Sequence, residues 1–250
     1  SKVWFFKLNA PMPDFSSRST AIEIMDDLRC EGEVVHQTLR ELETINNLLG
    51  GNYVTISALK KILEQETQRP LHIADLGCGS GDMLRLIRKW SVKKGFDPQL
   101  TGIDANPFII AFAKAHTPPE CRIDFKDLDI FSEAFEKEKY DVVIGTLFFH
   151  HFSNESLSCF FRQLQSQTRI GFIINDIHRH WLAYYSIKFL TGWLSKSAMV
   201  KFDAPLSVLR AFRKGELIEI LERAGITRYK IRWMWAFRWQ VIVYSHEELA

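Results

Sequence analysis

One stretch of eight residues, Asp75-Leu-Gly-Cys-Gly-Ser-Gly-Asp82, constrains this chain more than any other. It follows the short apolar run Leu71-His-Ile-Ala-Asp75-Leu76 and precedes Met83-Leu84-Arg85-Leu86-Ile87, which reads as the opening turns of a helix. Strand, glycine turn and helix in that order belong to an α/β sheet domain. Gly77, Gly79 and Gly81 let the backbone turn sharply and approach a ligand where a Cβ would collide. The helix that follows offers unpaired N–H groups at its amino end, suited to an acidic or polar ligand group.

A dinucleotide fingerprint requires Gly-x-Gly-x-x-Gly. Here the last position is Asp82 and the third glycine falls one residue early, while Asp75 puts a carboxylate beside the turn. On these residues the chain resembles the class I S-adenosylmethionine-dependent methyltransferases, whose first motif is an acidic residue followed by Gly-x-Gly-x-Gly. The resemblance covers residues 71–175. It implies an α/β fold: a Rossmann-like, seven-stranded, mostly parallel sheet with helices on both faces.

The order of elements agrees. From residue 71 onward, apolar runs alternate with helical patterns, the signature of a largely parallel sheet. Strands are expected at 71–76, 99–104, 121–125, 140–146, 169–175, 228–235 and 238–244, with helices near 81–91, 107–115, 155–166 and 214–223. The last two strands are too close together for a crossover and form an antiparallel pair. Residues 1–70 form an N-terminal helical cover or lid, helical over 16–68. Within it Val35, Leu39, Leu42, Ile45 and Leu48 make one apolar stripe, Gly50-Gly51 ends that helix, and a second runs from Thr55 to Gln65. The aromatic and methionine-bearing opening through Met12 and Phe15 suits a lid. Residues 71–250 form the methyltransferase domain, and 177–213, too long for a plain connection, form an inserted cap.

The resemblance implies the cofactor site residue by residue. Asp75, Gly77, Cys78 and Gly79 hold the methionine end of S-adenosylmethionine. Asp104 and Ala105 end the second strand, where a carboxylate accepts hydrogen bonds from ribose hydroxyls; the alternative is that Asp104 caps the helix after Pro107. Asp127 meets the adenine amino group, with Leu128 on the ring, although Asp129 is close enough to compete. Thr146 follows the fourth strand beside the methyl-transfer site.

The acceptor is less constrained. A phenol or enol must lose a proton, and histidine accepts protons near neutral pH. His150 and His151 both follow the fourth strand; His151 there, and His178 at the start of the cap, are the candidate bases. Phe149, His151, His178 and Tyr184 are the candidate acceptor contacts. The competing reading buries the cap aromatics as core and leaves Arg179 and His180 facing solvent. Similarly, Ile231-Arg-Trp-Met-Trp-Ala-Phe-Arg-Trp-Gln240 reads as one buried sheet face by its period-two alternation, or as a stacking surface.

Composition narrows the partners. A formal charge of +2 with no polybasic run argues against nucleic acid. Cys30, Cys78, Cys121 and Cys159 lack paired spacing, so reduced thiols in a soluble cytoplasmic protein are expected. Trp181 to Leu194 is shorter than a bilayer span, so no transmembrane segment is expected. No spaced His/Asp/Glu set suggests a metal. The segment Asn175-Asp-Ile-His178-Arg-His180-Trp-Leu-Ala-Tyr184-Tyr185, with the later Phe202-Asp-Ala-Pro-Leu-Ser-Val-Leu-Arg-Ala-Phe212, is similar to that of methyltransferases of bacterial aromatic or polyketide secondary metabolism. That implies a small hydrophobic phenolic, polyketide or quinone-like acceptor, methylated on oxygen or an electron-rich carbon by a monomer or homodimer. RNA or protein methylation, and a non-enzymatic cofactor-binding regulatory or assembly role, are the competing classes.

Overall fold

The computed structural model describes residues 13–64, 66 and 70–245. Met12, part of the expected lid, lies outside them. Seven strands form one sheet: β1 (His72–Leu76), β2 (Gln99–Asp104), β3 (Ile123–Asp127), β4 (Tyr140–Thr146), β5 (Thr168–Ile177), β6 (Tyr229–Met234) and β7 (Arg238–Tyr244). Their order is β3-β2-β1-β4-β5-β7-β6, with β7 antiparallel to both neighbours and the remaining pairs parallel. The β6–β7 turn is tight, with Ala236 and Phe237 both at positive φ, which is why that pair is a hairpin and not a crossover.

The central strands are buried on both faces, as crossover helices require. Ala74, Leu76, Val143, Phe172 and Ile174 pack on Phe135, Phe160, Phe161 and Leu217, which come from α5 (Glu133–Glu136), α6 (Asn154–Gln167) and α9 (Lys214–Arg223). Ile73, Val142, Ile144 and Ile173 face the other way, onto Leu59, Leu84 and Ile110. Those residues belong to α2 (Gly51–Ile62), α3 (Asp82–Lys93) and α4 (Pro107–Ala115). Strand alternation thus divides one apolar sequence between two cores.

The N-terminal part departs from the expected helical cover. α1 (Glu33–Leu48) forms, and Gly50 ends it in the left-handed conformation. The second helix starts at Gly51, four residues before Thr55. Ahead of α1 the chain is irregular, with a single 3₁₀ turn at Ile24–Asp26. Its polar side chains bind local backbone there: the Ser16 N–H donates to Asp14, and the Glu23 N–H to Asp26, a competition that disfavours helix. Leu48, expected in the apolar stripe, is exposed.

The cap is two helices, α7 (Trp181–Leu194) and α8 (Ala198–Arg210), packed together. Arg179, open to a solvent-facing placement on sequence grounds, is buried. Its guanidinium forms a two-pronged pair with Glu216 at 2.6 and 2.9 Å and donates to the carbonyls of Phe15, Ser16 and Ala211. The tail motif divides: Trp239, Val241 and Val243 are core, whereas Trp233 and Trp235 are exposed. No helix among the described residues is long and apolar enough to cross a membrane.

Arg179 therefore ties the N-terminal segment, the cap and α9 together. Replacing it with Leu leaves Glu216 without its cation and three carbonyls without a donor, and urea denaturation is expected to show a loss of about 3–5 kcal/mol. Unchanged stability would contradict this role.

Candidate active site

The glycine turn sits where β1 ends. Gly77, Gly79 and Gly81 have φ of +64°, +51° and +76°, a region that Cβ-bearing residues adopt at a cost. Gly77 also lies against Phe148: a Cβ there would overlap the ring. Gly79 has open space beside it, with only Leu39 Cδ2 at van der Waals distance. The turn is held by the Cys78 N–H on the Ile103 carbonyl (3.1 Å) and the Gly81 N–H on the Cys78 carbonyl (2.8 Å).

Acids crowd this turn. Asp75 is buried, and its Oδ1 has no hydrogen-bond partner. Burial chiefly, and then the nearby Asp82 and Asp104, push its carboxyl well above the ordinary value. Burial also raises Asp104, to about 6, against hydrogen bonds from the N–H groups of Asn106 and Gly79. Capping of α4 is done by Asn106, whose Oδ1 accepts from the Phe108 and Ile109 N–H groups. Asp104 is thereby left to face the cavity.

That cavity measures about 1370 Å³. Among the expected site residues, Asp75, Gly77, Cys78, Gly79, Asp104, Ala105, Leu128, Thr146 and His151 line it. Four others do not. Asp127 is exposed at the end of β3, and the chain then bends, with the Leu128 N–H on the Asp104 carbonyl, so that Leu128 and Asp129 line the cavity instead. Phe149 is core: its ring fills the space that Gly145 leaves without a Cβ and stands edge-on to Phe161. His178 packs edge-on against Trp239 and accepts the Trp233 indole N–H at its Nδ1 (3.3 Å). Burial, with His180, Arg213 and Arg179 nearby, lowers it to about 4. Tyr184 is buried, edge-on to Phe15 and Tyr185. These placements remove Phe149, His178 and Tyr184 from the acceptor wall, and with His178 goes one of the two candidate bases.

Of the two adjacent histidines, the one not favoured as a base, His150, is the more deeply placed. It is buried, lines the cavity and has its Nδ1 2.8 Å from Asp176 Oδ1. Burial alone would raise Asp176; His150 and the Ile177 N–H outweigh it and hold the carboxyl below its ordinary value. An ionised Asp176 fixes the proton on Nδ1 and leaves Nε2 as an acceptor. Nε2 has no partner and lies 3.7 Å from Glu23 Oε1, which also has none. Glu23 is raised to about 7, chiefly by burial and against His151 and Arg210. His151, the expected base, is partly buried; its Nδ1 is 2.6 Å from Asp26, which in turn pairs with Arg210. The ends of the paired strands β4 and β5 bring His150 and Asp176 together, a pairing that only the folded sheet discloses. Nothing in the sequence foretold Glu23, which arrives from the irregular N-terminal segment.

Glu23, His150 and His151 offer ligand atoms within 4.8 Å of one another, so a cation-compatible cluster exists where sequence spacing suggested none. The Arg210 guanidinium already stands 3.7 Å from Glu23 Oε1. With that cation in place, the cluster reads as proton-holding.

Comparison with known proteins bears on the fold that carries this geometry. A family model described as a methyltransferase domain matches residues 73–171. Malonyl-[acyl-carrier protein] O-methyltransferase of Acetivibrio thermocellus is 32% identical over 99 residues, covering 39% of this chain and 32% of that protein. The chain thus matches about a third of the length of its curated relatives. A plantazolicin methyltransferase solved with a substrate analogue and SAH superimposes with a TM-score of 0.62 at 17% identity, covering 83% of this chain and 89% of that one. Human N-acetylserotonin methyltransferase with SAM gives 0.60 at 16% identity, covering 86% and 56%. At such identities the structural likeness establishes the fold.

The close approach at Gly77 makes it a test of the turn. Gly77→Ala introduces both a positive-φ penalty and an overlap with the Phe148 ring, and thermal unfolding is expected to report a loss of about 1–3 kcal/mol. A variant as stable as the parent would show that the turn relaxes freely.

Proposed function

We propose that the chain is a class I S-adenosylmethionine-dependent methyltransferase, on the match of residues 73–171 to a methyltransferase domain, and that it methylates a small hydrophobic aromatic, polyketide or quinone-like acceptor. The observation that carries the reading is continuity: a single cavity runs from the acids of the glycine turn to the unpartnered Nε2 of His150. Its volume exceeds the roughly 300–1,000 Å³ of ordinary ligand pockets, leaving room for a cofactor and an acceptor together.

The residues at the turn fit the cofactor. An unpaired buried carboxylate oxygen on Asp75, with Asp82 and Asp104 beside it, is costly in isolation and favourable next to a cationic ligand. Asp104 is free to accept hydroxyl hydrogens, Gly79 leaves space for close approach, and Leu128 supplies an apolar wall. S-adenosylmethionine supplies, when bound, a methyl group on an activated sulfonium leaving group.

The chain's own part is to position the acceptor, exclude water and take a proton. Leu182, Ile187, Leu190 and Val208 from the cap make the acceptor end of the cavity apolar. His150, held by Asp176, accepts the proton at Nε2, and Glu23 faces the same nitrogen to relay it. This serves an acceptor oxygen or an acidic ring carbon equally, and the acceptor is a small molecule, not nucleic acid.

Three expectations follow. Titration calorimetry with S-adenosylhomocysteine should show affinity falling as pH drops through about 6, because Asp104, raised in the free protein, takes up a proton there and loses its accepting capacity. Asp104→Ala should weaken binding about tenfold or more, and full retention of affinity would remove Asp104 from the site. With labelled cofactor and a panel of phenols, quinols and polyketides read by mass spectrometry, His150→Ala or Asp176→Asn should lower turnover about a hundredfold or more with cofactor affinity unchanged. Normal turnover in both variants would exclude the His150 base.

A further inference from the structure

The cap carries a surface that the methyl-transfer reading does not use. α7 is apolar nearly all the way round: of its 14 residues only Lys188 is charged. Ala183, Tyr184 and Thr191 are buried against the body, and Leu182, Ser186 and Leu190 reach the cavity. On the remaining side Trp181, Tyr185, Phe189 and Trp193 recur every fourth residue and are 55, 46, 74 and 76% exposed. A four-residue repeat places them on one face, and an outward helix face in a water-soluble domain is ordinarily polar.

The aromatic surface does not stop at α7. Trp235, in the β6–β7 turn, is 78% exposed, and Trp233 and Phe202 are also exposed. Phe189, Trp233 and Trp235 line the cavity as well, so the exposed aromatics border its opening. An exposed apolar surface of this kind marks an interaction site.

Charge selects the occupant. From His178 to Phe202 the sequence contains no Asp or Glu. The exposed charges there are Lys188, Lys196 and Lys201, and β6 adds exposed Lys230 and Arg232. A second copy of this face would set lysines against lysines. An anionic lipid surface satisfies both features, since Trp and Tyr favour the headgroup level, and lysine stems lie along apolar surface while their heads stay in water. With 14 residues α7 is too short to span a bilayer, but a helix lying in the interface has no such length requirement.

We infer that the cap docks this protein on anionic membranes, with the aromatic face of α7 seated at the headgroup boundary and the cavity opening toward the apolar layer. An acceptor dissolved in the bilayer then reaches the cavity without crossing water. That last step rests on the methyl-transfer reading; the docking itself does not.

Vesicle flotation tests it without methyl donor or acceptor. The protein is expected to float with vesicles of phosphatidylcholine and phosphatidylglycerol, and less with phosphatidylcholine alone. Trp181→Ser combined with Trp193→Ser, positions that do not line the cavity, should weaken binding to the mixed vesicles about tenfold or more. Lys188→Glu with Lys196→Glu should abolish the preference for anionic lipid. The inference is overturned if the parent floats with neither composition, if the tryptophan variant floats equally well, or if sedimentation velocity shows a dimer that Trp193→Ser dissociates. Loss of methyl transfer alone would leave the vesicle result standing, and absence of flotation would leave methyl transfer standing.

Discussion

A buried carboxylate oxygen without a partner, Oδ1 of Asp75, is the constraint around which the cavity is organised. It lies in β1, an inner strand between β2 and β4, where the interior offers it no cation. Burying an acid in this way costs free energy that the rest of the fold must offset. The turn after it cannot retreat, because Gly77 is pressed against Phe148 and Gly81 must start α3 from a left-handed conformation. The arrangement therefore holds an acidic concavity open at the sheet edge, and a positively charged ligand is the natural complement. This is stability given up at a functional site and recovered on binding.

The wall opposite the turn comes from far away in the chain. Arg18 bonds the carbonyls of His150 and Arg210, Arg179 holds the carbonyls of Phe15 and Ser16, and Asp203 receives the backbone N–H groups of Ile24 and Met25. Buried charges and backbone groups, satisfied by one another, fasten an otherwise irregular segment across the cap. The result delivers Glu23 to His150 Nε2. A segment with little regular structure thereby lines the same cavity as His150, held there by these polar bonds and by Phe15 and Met25 packed on the apolar clusters.

These two features explain what the sequence could and could not disclose. Strand and helix alternation, the hairpin of β6 and β7, the glycine turn and the place of Asp104 at the end of β2 all arise from local rules of spacing and conformation, and each was legible. The choice between His150 and His151 was not, because adjacent residues on a 3₁₀ turn point to different surroundings and only the neighbouring strand end, with Asp176, distinguishes them. Phe149 looked like a substrate contact and is core, since Gly145 on β4 leaves a space of its size. His178 and Tyr184 enter the cap as expected, but aromatic packing on Trp239 and Phe15 claims them. Arg179 is hidden for a related reason: a buried ion pair with Glu216 has no periodic signature.

The central claim is that the acidic turn binds S-adenosylmethionine and not a dinucleotide. Calorimetry comparing S-adenosylmethionine, S-adenosylhomocysteine and NADH on the same protein tests it most directly. The account predicts saturable one-to-one binding of the first two and none of NADH. Binding of NADH with no response to either adenosyl compound would contradict it.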